Sequence, residues 1–203
     1  MELVLIRHGQ TPGNAARQYV GALDQPLSEK GREQARDAGP FPEVPLVYVS
    51  KMRRAQETAS IMFPNAKQVV VPGVEEMNFG AFGGRSADEM ENDPDYQAWV
   101  ESWCTLPCPG GESREEFTDR VAASLDAFLR EAQERGESRV ILVAHGGTMM
   151  ASMSRFGDGS KDYYEWLVGN CEGYRLAVDL SAARPVFTVI DSGKLSCSWL
   201  GLS

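Results

Sequence analysis

Apolar and polar positions follow two rhythms along this chain. Leu3-Val4-Leu5-Ile6 and Val140-Ile141-Leu142-Val143-Ala144 are unbroken apolar runs of strand length. Runs that are apolar on both faces predict buried central strands of a parallel sheet. Residues 46–50 predict a third such strand and residues 69–71 a short fourth. Residues 174–180 alternate, which predicts a half-exposed strand, with residues 186–190 as its hairpin partner at a sheet edge. Between these runs the period lengthens to that of a helix. Ser28 is placed to cap a helix through Gln34 and Ala38 that Gly39-Pro40 stops. Ala55, Thr58, Ala59 and Met62 form the small-residue face of another helix, with Ser50 as its expected N-cap. Ser113-Arg114-Glu115-Glu116 is a capping box opening a long helix that turns Phe117, Val121, Leu125 and Phe128 inward and ends at Gly136. Gly146-Gly147-Thr148 leads into a helix through Met149, Met150 and Met153, and residues 162–167 predict a short one. Strands alternating with helices predict a three-layer α/β/α sandwich around a mostly parallel sheet, one domain over residues 1–203. No repeat, low-complexity tract or linker divides it.

Two stretches break the alternation. Residues 74–84 combine glycines and aromatics, as a shaped loop does. Residues 85–112 read as a small insertion over one end of the sheet. Asp88, Glu89, Glu91, Asp93 and Asp95 make it acidic, and Tyr96, Trp99 and Trp103 fall on one helical face. Core packing is the expected role of at least two of these three rings.

The chemistry gathers where strands end. The first strand runs into Arg7-His8-Gly9 and a later one into His145-Gly146-Gly147. These are the only two histidines in the chain, and both sit at the exit of a buried strand. Ligands of open α/β sheets bind at that carboxyl edge. Thr11-Pro12 reads as a helix start, with Asn14 in the first turn. Arg53 and Arg54 fall in the first turn after residues 46–50. A cation there opposes the helix dipole, so Arg54 is not explained by helix stability. Three strand-to-helix crossings thus bring Arg7, His8, Arg54 and His145 to one edge together with three helix N-termini, a setting that suits phosphate.

The net charge of −9 argues against sequence-independent nucleic-acid binding and makes any phosphate site a local cluster of cations. The four cysteines have no zinc-site spacing and read as free thiols, Cys104 and Cys108 included. No apolar run is long enough to span a membrane, and the chain opens on a strand rather than a secretory leader. A reducing cytoplasm is the expected compartment. The oligomeric state is not legible. No acidic cage for a metal is evident, so neither metal nor cofactor is expected.

Leu5-Ile6-Arg7-His8-Gly9-Gln10-Thr11 resembles the signature of the histidine phosphatase superfamily, the phosphoglycerate mutase-like proteins. Four further segments match in order: Asp24-x-Pro26-Leu27-Ser28-x-x-Gly31-x-x-Gln34-Ala35, the Ser50-x-x-x-Arg54-Ala55-x-x-Thr58-Ala59 stretch, Glu76 to Gly80, and Pro109-Gly110-Gly111-Glu112-Ser113. The resemblance implies that His8 takes the phosphoryl group and that Arg7, Arg54, His145 and Gly146 line the phosphate pocket. Asn14 would add a hydrogen bond. Of two adjacent acids, it selects Glu76 over Glu75 to protonate the leaving oxygen and later activate water. It departs at Gly83, where many relatives carry Glu, and at Lys51-Met52. Neither change removes one of these chemical groups.

Asn78-Phe79-Gly80-Ala81-Phe82 lacks the Arg-Tyr pair of the mutases. The Pro-Gly-Gly-Glu-Ser segment is similar to that of α-ribazole-5′-phosphate phosphatases and small broad-specificity phosphatases. The expected activity is therefore metal-independent hydrolysis of a small-molecule phosphomonoester. A mutase is the alternative, with Arg17 and Arg85 as candidate cations for a second anion site. A non-catalytic phospholigand-binding module is another, and it predicts a broken pocket residue, which the sequence does not show.

Overall fold

The structure, a computed structural model, describes residues 1–202. Six strands form one sheet: β1 (Glu2–Arg7), β2 (Leu46–Val49), β3 (Lys67–Val70), β4 (Arg139–Ala144), β5 (Glu172–Asp179) and β6 (Val186–Lys194). Their order is β3-β2-β4-β1-β5-β6. β3, β2, β4 and β1 are parallel neighbours, whereas β5 and β6 add an antiparallel pair at the β1 side. The mixed sheet and its helices give the α/β sandwich of the phosphoglycerate mutase-like fold, with β6 at the edge as the hairpin pattern predicts.

β1 and β4 are central because their residues are apolar on both faces. Leu3, Leu5 and Leu142 join one core cluster, while Val4, Ile6, Ile141 and Val143 join the other. The first cluster packs under α5 (Arg114–Glu134) and α6 (Gly146–Phe156), and the second under α2 (Glu29–Ala38) and α3 (Arg53–Met62). α5 carries the anticipated capping box, with Ser113 accepting from the Glu116 N–H. At the far end of the strands, Glu2 bridges β4 and β5 through Arg139 and Arg175 at 2.7 and 2.8 Å. Those two guanidiniums hold its carboxyl below the usual carboxylate range.

Two local expectations change. The N-cap of α3 is Met52, not Ser50, and no side chain of its own caps it. Asp24 substitutes from outside by accepting the Arg53 N–H at 2.7 Å, which frees Ser50 for another bond. In the segment over the sheet end, α4 (Pro94–Glu101) buries Tyr96 and Trp99. Trp103 lies past the end of α4 with positive φ and is 80 % exposed, so it leaves the face predicted for it. Tyr96 packs edge-on against Phe82 and Tyr19, and Trp99 packs edge-on against Tyr19 and tilted against Phe82, consistent with core packing. Among the described residues no helix is long and apolar enough to cross a membrane.

Candidate active site

The strand exits are stitched together at one edge. The His8 N–H donates to Ala144 O at 3.0 Å, and the Ser50 N–H donates to Val143 O at 3.0 Å. The turn after His8 is then wrapped by residues 24–34. Ser28 N–H and Oγ both donate to the Gln10 carbonyl, and Gln34 Oε1 accepts the Gln10 N–H at 2.9 Å. Gly9 and Gly31 meet so closely that a Cβ on either would overlap the other segment's backbone. This contact accounts for the glycines in two of the motifs: they let α2 press on the loop carrying His8.

His8 is buried, and its Nδ1–H donates to the Gly9 carbonyl at 2.6 Å. That bond selects the tautomer whose Nε2 keeps its lone pair. Burial first, then Arg54 and Arg7, push the imidazole down to about 3 against the opposing pull of the Gly9 carbonyl. The ring is therefore neutral at physiological pH. Asn170 Nδ2 donates to the His8 carbonyl at 2.9 Å, and Thr58 Oγ1 accepts the Gly9 N–H while donating to Arg54 O. His8 is fixed from three elements.

Arg54 is 1 % exposed at the start of α3. Its Nη1 and Nη2 donate to the Leu23 and Gly21 carbonyls at 2.7 Å each, and Nε donates to His145 Nδ1 at 3.3 Å. Three of the guanidinium's five donors are thus assigned and two remain for a ligand. Arg7 donates from Nη1 to Val168 O at 2.6 Å, yet its buried Nε has no partner among the described residues. A buried donor without an acceptor is costly. Arg7, His8, Asn14, Arg54, Glu76 and Gly146 all line a cavity of about 170 Å³. Gln18, Tyr19, Val20, Gly21 and Phe79 complete its wall. This second group carries no charge and so no chemical signal in the sequence.

His145 forms the layer beneath. It is fully buried, with its ring centroid 5.2 Å from that of His8, and it is not among the residues lining the cavity. Accepting from Arg54 at Nδ1 leaves Nε2 as the donor, and Ser50 Oγ receives it at 2.8 Å. Burial, then Arg54 and His8, hold this imidazole well below the ordinary histidine range. Ser50 is thus the anchor of a Ser50–His145–Arg54 chain, a link hidden from the sequence because the two partners are 95 residues apart. Ser50→Ala strands a buried N–H, so it is expected to cost about 1–3 kcal/mol in urea unfolding. The same change is expected to lower kcat about tenfold or more through a loosened Arg54, while Ser50→Thr keeps most of both.

The two neighbouring acids part company. Glu75 pairs with Lys51 at 3.3 Å and with Arg120 at 3.6 Å, whereas Glu76 turns to the cavity. Glu76 Oε1 accepts the Met77 N–H, and Oε2 accepts the Gly147 N–H, both at 3.0 Å. A Cβ on residue 147 would overlap this carboxylate, so glycine is required at that turn of α6. The Pro-Gly-Gly-Glu-Ser segment holds the loop in place. Glu112 accepts the Asn78 N–H at 2.8 Å and pairs with Arg120 at 2.7 Å, and Arg120 in turn donates to the Gly73 and Glu75 carbonyls.

Two imidazoles, two guanidiniums and one carboxyl group thus gather at the carboxyl edge of the sheet, the grouping that the motif resemblance implies. Residues 3–188 match the family model of the histidine phosphatase superfamily (branch 1), and the chain belongs to that family. It is 34% identical over 169 residues to a metal-independent phosphoserine phosphatase of Arabidopsis thaliana, covering 78% of this chain and 70% of that one. A 2,3-bisphosphoglycerate-dependent phosphoglycerate mutase of Parvibaculum lavamentivorans is 27% identical over 202 residues, covering 93% and 90%. The crystal structure of the alpha-ribazole phosphatase from Shigella flexneri superposes with a TM-score of 0.74 at 25% identity, covering 93% and 95%.

Proposed function

We propose that this chain is a phosphomonoesterase that hydrolyses a small phosphorylated metabolite through a phosphohistidine on His8. The observation that carries the reading is the His8 tautomer: Nδ1–H is tied to the Gly9 carbonyl, so Nε2 is the nucleophile beside two arginines. In the first step Nε2 attacks phosphorus and the ester P–O bond breaks. Arg7 and Arg54 neutralise the non-bridging oxygens, Asn14 and the Gly146 turn complete the cradle, and Glu76 gives its proton to the departing alcohol. In the second step water attacks phosphorus, Glu76 takes its proton, the P–N bond breaks and phosphate leaves. His145 acts through Arg54 and His8, as a positioning residue. α-Ribazole 5′-phosphate is a candidate substrate by the likeness to phosphatases of that name.

Hydrolysis is favoured over transfer by what the other cations do. A mutase needs a second anion site, but Arg85 is paired with Asp93 at 2.8 Å, and Arg17 is exposed and does not line the cavity. The test combines two assays. Incubation with 3-phosphoglycerate and 2,3-bisphosphoglycerate is expected to form no 2-isomer, and p-nitrophenyl phosphate is expected to release inorganic phosphate. Turnover of p-nitrophenyl phosphate is expected to persist in excess EDTA, because guanidiniums do the neutralising. Isomer formation points to the mutase. Loss of activity in EDTA, restored by magnesium or zinc, removes the metal-independent mechanism, and absence of any turnover leaves only a binding module.

A further inference from the structure

A second chamber, of about 330 Å³, shares Tyr19, Glu76 and Phe79 with the phosphate cavity. We infer that it holds the leaving group of the substrate, and that this group is an uncharged, flat ring system rather than a short carboxylate-bearing alcohol. The inference rests on the phosphatase reading and deepens it. A proton donor must lie within hydrogen-bond reach of the oxygen it protonates. The ester therefore leaves on the side of Glu76, and the chamber opens on that side.

Its walls select what fits. Trp99, Phe117, Tyr163 and Tyr164 present rings, and Met150 and Leu167 fill the gaps between them. Thioether and aromatic surfaces of this kind accept flat apolar bodies. Tyr164 and Leu167 are about half exposed, at 51% and 47%, and a bound ring would cover them. Glu76 and Arg114 are the charged groups that face the chamber. Arg114 already lies over the Tyr163 ring at 5.2 Å and donates to the Trp103 carbonyl. A carboxylate on a short leaving group would be desolvated against rings. A volume of about 330 Å³ also reaches the range of roughly 300–1,000 Å³ typical of sites for sizeable organic ligands. A serine- or glycerate-sized group leaves most of it empty.

The test uses esters of primary alcohols with comparable leaving groups: 2-(1-naphthyl)ethyl phosphate, ethyl phosphate and 3-(phosphonooxy)propanoate. The expected kcat/KM is about tenfold or more higher for the naphthyl ester than for ethyl phosphate. Against the carboxylate ester it is about 100-fold or more higher, a range that binding differences of this kind reach. Tyr164→Ala, at a half-exposed position, is expected to shrink the naphthyl-to-ethyl ratio several-fold. Arg114→Gln is expected to leave the order of the three esters as it is. Equal rates, a preference for the carboxylate ester, or loss of a carboxylate preference in Arg114→Gln would overturn this assignment while leaving the phosphatase reading in place. No phosphate release from any ester, p-nitrophenyl phosphate included, overturns that reading and this one with it.

Discussion

His8→Gln is expected to lower phosphate-ester turnover by at least about 10⁴-fold, a loss of the size seen when a covalent nucleophile is removed. Glutamine approximates the volume of the buried ring, so circular dichroism should stay close to the parent's. Rapid quench with labelled substrate is expected to trap a phosphoenzyme in the parent that is labile in acid and stable in base, and none in the variant. The same residue makes a pH prediction whose sign follows from its environment. Burial and two arginines lower the folded-state proton affinity to about 3, whereas an unfolded histidine titrates near 6.5. Above pH 6.5 both states hold neutral His8 and there is no linkage. As pH falls from 6.5 towards 3, the unfolded chain binds a proton that the folded one refuses, so stability declines with acid. Each such histidine contributes a slope of up to about 1.4 kcal/mol per pH unit. His145 behaves in the same direction. Urea midpoints between pH 6.5 and 5 should show the slope reduced by about one proton in His8→Gln. An unchanged slope together with near-parental turnover would show that His8 is neither the buried titrating group nor the nucleophile.

The parts of this site that were legible in the sequence are those whose cause is local. The exit of an apolar strand into Arg7-His8-Gly9 places the charged pair at the sheet edge whatever else the chain does. The same holds for His145 after β4 and for Arg54 in the first turn of α3. The motif resemblance then supplied roles that periodicity cannot. What stayed hidden was tertiary. Ser50 looks like an N-cap because Ser precedes a helix by the right spacing, but the Asp24 carboxylate, from a distant loop, accepts the Arg53 N–H of that helix and leaves Ser50 to His145. Trp103 shares helical spacing with Trp99, yet the helix stops at Glu101 before that spacing can matter. The choice between Glu75 and Glu76 rested on resemblance alone in the sequence. In the structure the two acids differ in their partners: Lys51 and Arg120 hold Glu75 away, while two backbone N–H groups hold Glu76 at the cavity.

Glu76→Gln is expected to lower the rate of His8 phosphorylation by about 10²–10⁴-fold with an alkyl phosphate, the usual worth of a positioned general acid. An alkoxide is a poor leaving group and needs its proton in the transition state, whereas p-nitrophenolate departs without much help. The loss with p-nitrophenyl phosphate is therefore expected to be tenfold or less. Glutamine keeps the acceptor that one backbone N–H requires, so the loop should hold its place. Each Glu76 oxygen accepts one such N–H and retains a second lone pair. Glu75→Gln should lose little with either ester, because Glu75 and its partners Lys51 and Arg120 do not line the cavity. Steady-state turnover can mask the contrast, since Glu76 also activates water in the second step and dephosphorylation then slows for both substrates alike. Single-turnover phosphorylation, followed by quench, isolates the first step. Equal losses for the two leaving groups would mean that Glu76 orients the substrate without donating a proton. A larger loss at Glu75 would move the proton donor to the neighbouring residue.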